Sequence, residues 1–124
     1  MKKTPRKKLT EKIDKLWSLK VRSICQCELC GKRGDLKNFD AHHIKGRSNE
    51  STRYLLANGV CLCKGCHRFR VHMDTFTTGI LIDKLKVKRG KDWWPSLEEA
   101  VDDTKKYKMS ELEEIRDSLV DNSS

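Results

Sequence analysis

The chain reads as an α+β fold: a small two-stranded module stapled by a metal, with a helix before it and helices after it. Three observations predict this. Two Cys-x-x-Cys pairs, Cys27/Cys30 and Cys63/Cys66, stand a few tens of residues apart. At that spacing two tight turns each offer two thiolates to one tetrahedral zinc ion. Apolar residues make up 36% of the 124 and aromatics 6%, thin for a self-sufficient core, so a metal staple has a structural purpose. Helical periodicity is strong on both flanks of the cysteine-rich stretch and short alternating runs lie inside it.

Taken in order, Lys2, Lys3, Arg6, Lys7 and Lys8 around Pro5 read as a basic disordered arm over residues 1–9. From Thr10, a candidate cap, Ile13, Leu16, Trp17, Lys20, Val21 and Ile24 recur at helical spacing, which predicts a helix whose apolar stripe covers the zinc module. Residues 25–31 form the first knuckle, with Gly31 and Gly34 at turns. Leu36 to His43 reads as a strand in which Phe39 and Ala41 alternate with Asp40 and His42. A polar, basic loop, 45–51, follows, and Thr52 to Ala57 reads as a helical turn packed through Tyr54, Leu55 and Leu56. Asn58-Gly59 is a turn into a second strand, Val60 to Leu62. The second knuckle leads into a helix from Cys66 to His72.

Beyond Met73 the composition turns helical and acidic. Ile80, Leu81, Lys84, Leu85 and Lys88 fit one helix ended by Gly90. Ser96-Leu97-Glu98-Glu99 and Ser110-Glu111-Leu112-Glu113 read as capping boxes opening two more. Trp93 and Trp94 read as anchors of this tail on the core, and residues 121–124 as a fraying end.

Charge narrows the function. Residues 1–72 carry 18 Lys/Arg and 6 Asp/Glu, whereas residues 73–124 carry 9 and 12. The half that holds the histidines is therefore the half a polyanion would approach. No apolar run reaches the ~20 residues of a membrane span, and the basic N-terminus lacks the apolar stretch of a secretory signal. Paired cysteine spacing beside histidines, with no such signal, argues for reduced thiols in a cytoplasm rather than three disulfides. Cys25 and Cys61, two residues before each knuckle, are left out of the zinc site. They read as strand residues, either buried as small apolar groups or near each other as free thiols.

The histidines remain. Adjacent residues on an extended strand point to opposite sides, so His42 and His43 suit a division of labour, one ring on a metal and one on a reacting water. The order Cys27-x-x-Cys30, His42-His43-Ile44, Asn58, Cys63-x-x-Cys66-His67 resembles the HNH nuclease family. Asn58 falls five residues before Cys63 and nine before His67, as in zinc-containing members. The resemblance covers Cys27 to His72 and implies a ββα-metal core over residues 10–78. It further implies a treble-clef-like site of Cys27, Cys30, Cys63 and Cys66 for structural zinc, and a helical extension, 79–124, packed on the core.

The resemblance also implies roles. His43 matches the general base, and His42 and His67 match ligands of one catalytic divalent ion (Mg, Mn, Ni, Co or Zn). Asn58 matches the middle residue of the motif, which either ties down the loop bearing the base or ligates the metal. A further ligand found in some relatives would fall at Val71. His72 comes one residue later, which sets it well round a helix from His67. Lys45, Arg47, Arg68 and Arg70 are the candidates for gripping DNA phosphates. The basic arm and the Trp93–Leu119 tail are similar to small phage-encoded members grouped with recombination proteins. Recombination or packaging proteins of a phage, a bacterial host's cytoplasm, and a monomer or homodimer follow as expectations. Two function classes stand on these residues: a DNA endonuclease or nickase, and a non-catalytic zinc-containing DNA-binding or recombination accessory module.

Overall fold

The computed structural model describes residues 2–71 and 74–121. Its first element, α1 (Pro5–Arg22), begins five residues before the Thr10 expected from periodicity. Thr4 is the cap: its hydroxyl accepts from the Lys7 backbone N–H, 3.1 Å away. Pro5 occupies the first turn, where a missing N–H costs nothing. The segment read as a disordered basic arm is therefore helical from Pro5 onward. The helix ends at Arg22, which leaves Ile24 outside it and exposed. Leu9, Ile13, Trp17 and Val21 recur every fourth residue and form the buried stripe, packed against the sheet and the last helix.

That stripe covers an antiparallel pair, β1 (Phe39–His43) and β2 (Gly59–Cys63), in the register Phe39 to Cys63 and His43 to Gly59. The first strand is shorter than expected because Leu36–Asn38 coil into a 3-10 turn. Gly59 is required by close approach: a Cβ there would run into the side chains of Val21 and Trp17. Between the strands lie a short helix α2 (Glu50–Arg53) and a 3-10 turn, Leu56–Asn58. After β2 the second knuckle opens into a π-helical turn, Cys66–Val71.

The C-terminal part is helical, as its composition suggested. Helix α3 (Thr75–Arg89) starts earlier than Ile80 because the Asp74 carboxylate caps it, accepting from the Phe76 N–H at 3.0 Å. It ends at Gly90, whose φ of +94° suits glycine. Helix α4 (Trp93–Ala100) opens at Trp93 rather than at Ser96, so the Ser96 capping box does not form. In α5 (Met109–Asp121), Glu111 folds back to accept from the Lys108 N–H. Trp93 anchors this part as expected, donating its indole N–H to the Ala57 carbonyl at 2.8 Å. Arg89 adds a second anchor, bonding the Glu28 carboxylate and the carbonyls of Ala57 and Gly59. Together these residues form an α+β core with helices on both flanks. No described helix is long and apolar enough to cross a membrane.

Candidate functional site

The four knuckle cysteines converge. The Sγ atoms of Cys27, Cys30, Cys63 and Cys66 all lie within 4.8 Å of one another. Zn–S bonds of about 2.3 Å in a tetrahedron need S···S edges of about 3.8 Å, and the Cys30–Cys63 pair stands at 3.8 Å. Backbone N–H groups point at the sulfurs, Cys30 N at Cys27 Sγ and Cys66 N at Cys63 Sγ. Burial opposes ionisation of Cys27, but donors from the surrounding backbone outweigh it and bring that thiol down to about 7. Burial, together with neighbouring thiols, pushes Cys66 up to about 12. The cluster fits a structural metal of zinc's preference. Cys25 and Cys61 stand outside it. Cys61 is fully buried in β2 and pushed up by burial to about 11. Cys25 is not a strand residue; it turns the chain with φ +52°.

The alternation of β1 sends the two adjacent histidines to opposite faces. His42 turns toward the π-helical turn, where its ring meets that of His67 edge-on, centroids 5.2 Å apart. His43 turns toward α1 and stacks on Trp17, centroids 4.0 Å apart. Its Nε2 lies 3.1 Å from the Arg53 carbonyl. Burial depresses the His43 pKa below its ordinary value, against the pull of that hydrogen bond. The structure thus brings His42 and His67 together and sets His43 on the other side of the strand. His72 lies outside the described residues. Among the described residues, the four cysteines are the group in which three or more ligand-type side chains come close enough to hold an ion.

Asn58 is fully buried. Its Oδ1 accepts from the Lys45 N–H at 2.7 Å, and its Nδ2 donates to the carbonyls of Lys45 and Thr52. The amide therefore clamps the backbone two residues beyond His43.

Residues 27–70 match the family model described as HNH endonuclease. The matched stretch covers about a third of the chain and spans both cysteine knuckles and both strands. No curated protein and no solved structure matches the chain.

Arg68 lines a cleft of about 500 Å³ with Lys64, His67, Asp40, Ser18 and Arg22. Its floor is β1, which among the described residues pairs with β2 alone, so the cleft runs along a strand edge between α1 and the π-helical turn. Arg47 is exposed and reaches Asp14 at 3.1 Å. Lys45 is held over the Trp94 ring, 4.5 Å from its centroid, with Glu98 3.9 Å away. Arg70 turns one guanidinium nitrogen to Cys66 Sγ at 3.8 Å, where it can offset thiolate charge.

Three residues of this region carried no role in the sequence reading. Asp40 accepts from His67 Nδ1 at 2.9 Å. Arg53, whose carbonyl meets His43, is itself held by a two-point pairing with Asp14. Trp17 is the face on which His43 rests. The sequence signal for Asp40 was its place two residues before His42, on the same face of a strand.

Proposed function

We propose that the HNH domain hydrolyses phosphodiester bonds in DNA as a metal-dependent endonuclease or nickase. His43 is the general base, and His42 and His67 hold one divalent ion. The observation that carries this reading is the approach of the His42 and His67 rings, centroids 5.2 Å apart. Metal–nitrogen bonds of about 2.0–2.1 Å let one ion bridge two rings so placed. Such an ion, when bound, relieves charge on the scissile phosphate and the leaving 3′ oxygen.

The chain's own groups do the rest. A carbonyl can only accept, so His43 donates Nε2–H to Arg53, and the lone pair of the neutral ring sits on Nδ1. Its depressed pKa keeps it neutral near pH 7, ready to take a proton from water. In this reading a phosphate at the open edge of β1 would stand between the two faces on which the strand sets His42 and His43. Arg68, Lys64 and Arg22, which line the cleft on that edge, supply positive charge to the DNA backbone. Asn58 holds the loop beyond the base. The knuckle cysteines take structural zinc, which suits a reducing cytoplasm.

A second reading, a non-catalytic zinc module that binds DNA, is favoured by one observation. The His43 ring is packed against Trp17 rather than against His42 and His67. A plasmid-nicking assay across Mg, Mn, Ni, Co and Zn separates the two. The nuclease reading expects nicked circles with at least one ion. It also expects a His43→Ala protein that keeps its zinc and its DNA affinity yet cuts slower by about a hundredfold or more. Absence of cutting with every ion supports the binding module; wild-type cutting by His43→Ala removes the base assignment.

A further inference from the structure

We infer that Asp40 is a positioning residue for His67: its carboxylate selects which imidazole nitrogen is offered to an ion and fixes the ring that offers it. The inference rests on the reading of His42 and His67 as an ion site and goes one step behind it.

Asp40 and His42 are two residues apart on β1 and so share a face, the one turned to the π-helical turn. His67 stands 27 residues further along the chain, yet its Nδ1 lies 2.9 Å from Asp40 Oδ2. A carboxylate only accepts, so Nδ1 carries the hydrogen and the neutral ring keeps its lone pair on Nε2. Ligation needs an unprotonated nitrogen. Any ion on His67 is therefore taken at Nε2. Unrestrained neutral imidazole in water favours the other tautomer, with hydrogen on Nε2, so the carboxylate works against the ring's own preference. The carboxylate is itself held: its other oxygen, Oδ1, pairs with Lys64 Nζ. With both oxygens engaged, the Asp40 rotamer is fixed, and through it the His67 ring. Carboxylate–histidine–metal arrangements of this kind orient the ligand and raise its basicity.

A purely structural ion pair would look different under mutation. Lys64 is half exposed, and an exposed pair of this sort contributes little to stability. Removing Asp40 should therefore leave the fold largely unchanged while altering His67.

The test uses the full chain loaded with zinc, near pH 7.5. Nitrogen-15 correlation spectra of the histidine rings report the tautomer, and calorimetric titration with nickel reports ion binding beyond the structural zinc. The expected wild-type result is hydrogen on Nδ1 of His67. In Asp40→Ala the hydrogen moves toward Nε2, and nickel affinity falls about 10- to 100-fold. Asp40→Asn, whose amide oxygen can still accept, falls less. Zinc content and melting temperature should match wild type in Asp40→Asn. A wild-type His67 with hydrogen on Nε2 overturns the inference. A wild-type chain that binds nickel, loses it with His42→Ala and keeps it undiminished with Asp40→Ala overturns the inference alone. A wild-type chain that takes up no ion beyond the structural zinc overturns the ion site and this inference with it.

Discussion

The indole of Trp17 lies nearly flat on the imidazole of His43, with ring centroids 4.0 Å apart and planes 12° from parallel. The same indole donates its N–H to the Leu55 carbonyl at 2.9 Å and is only 2% exposed. One α1 side chain thus orients the candidate base and satisfies the backbone of the β1–β2 connection. Trp17→Phe keeps an aromatic face for His43 but strands the Leu55 carbonyl, so it should cost about 1–3 kcal/mol. Trp17→Ala also opens a cavity and should cost about 3–5 kcal/mol. Urea unfolding of the zinc-loaded protein measures both.

The burial of His43 makes stability depend on pH. Its folded pKa lies below the ordinary value of 6.5, with desolvation the largest cause. As pH falls through the ordinary value the unfolded ring takes a proton first, so the unfolded state gains and stability declines. The decline ends only once the folded ring is protonated as well. Above the ordinary value both states hold a neutral ring and the contribution is flat. His43→Gln should therefore lose less stability than wild type between about pH 6.5 and pH 5, read as the difference between two unfolding series. Identical slopes would mean that the ring is not desolvated in solution.

The cysteine cluster predicts metal dependence. The chain should bind one zinc per molecule, and Cys30→Ser or Cys63→Ser should lose it, since each removes one of the four sulfurs. Cys61→Ala should retain the zinc, because Cys61 lies outside the cluster. Chelation should lower the melting temperature and dissolve the near-ultraviolet dichroism of the core, since the two knuckles join segments more than thirty residues apart and metal binding is coupled to folding. Metal analysis and thermal melts of the three variants check this directly.

Local chemistry was the part of the structure that could be read from residues. The cysteine pairs declared a metal site because a knuckle is made by neighbours in sequence, and β1 was recognisable from the alternation of Phe39, Asp40, Ala41 and His42. Boundaries were less legible where two signals competed. Pro5 with Thr4 is a helix start, yet the lysines around it suggested a solvated arm. Ser96 looked like a cap, but Trp93 pins its indole to Ala57 and starts α4 a turn earlier. Ile24 fitted the helical period of α1, yet the helix stops at Arg22 and the chain turns at Cys25 toward the first knuckle. Least legible were the contacts that need the fold to exist. Asp40 with His67 and Trp17 with His43 are each separated by 26 or 27 residues, and no spacing rule connects them.

Asn58 offers the sharpest test of what the middle residue of the motif does. Its amide makes one bond as acceptor and two as donor, all to backbone, with no exposed surface. Asn58→Asp preserves size and keeps the acceptor for Lys45 N–H, but it places a carboxylate against the carbonyls of Lys45 and Thr52. Asn58→Ala leaves the same backbone groups unpaired in a small void. Each should destabilise by about 2–4 kcal/mol, with Asp the worse of the two and improving at low pH as it is protonated into a donor. If Asn58 instead served chiefly as a metal ligand, Asp would be the better tolerated substitution, since carboxylates ligate divalent ions more strongly than amides. Urea unfolding of both variants with and without added divalent ion separates the roles: a larger loss for Asp in the absence of ion is what a loop clamp requires.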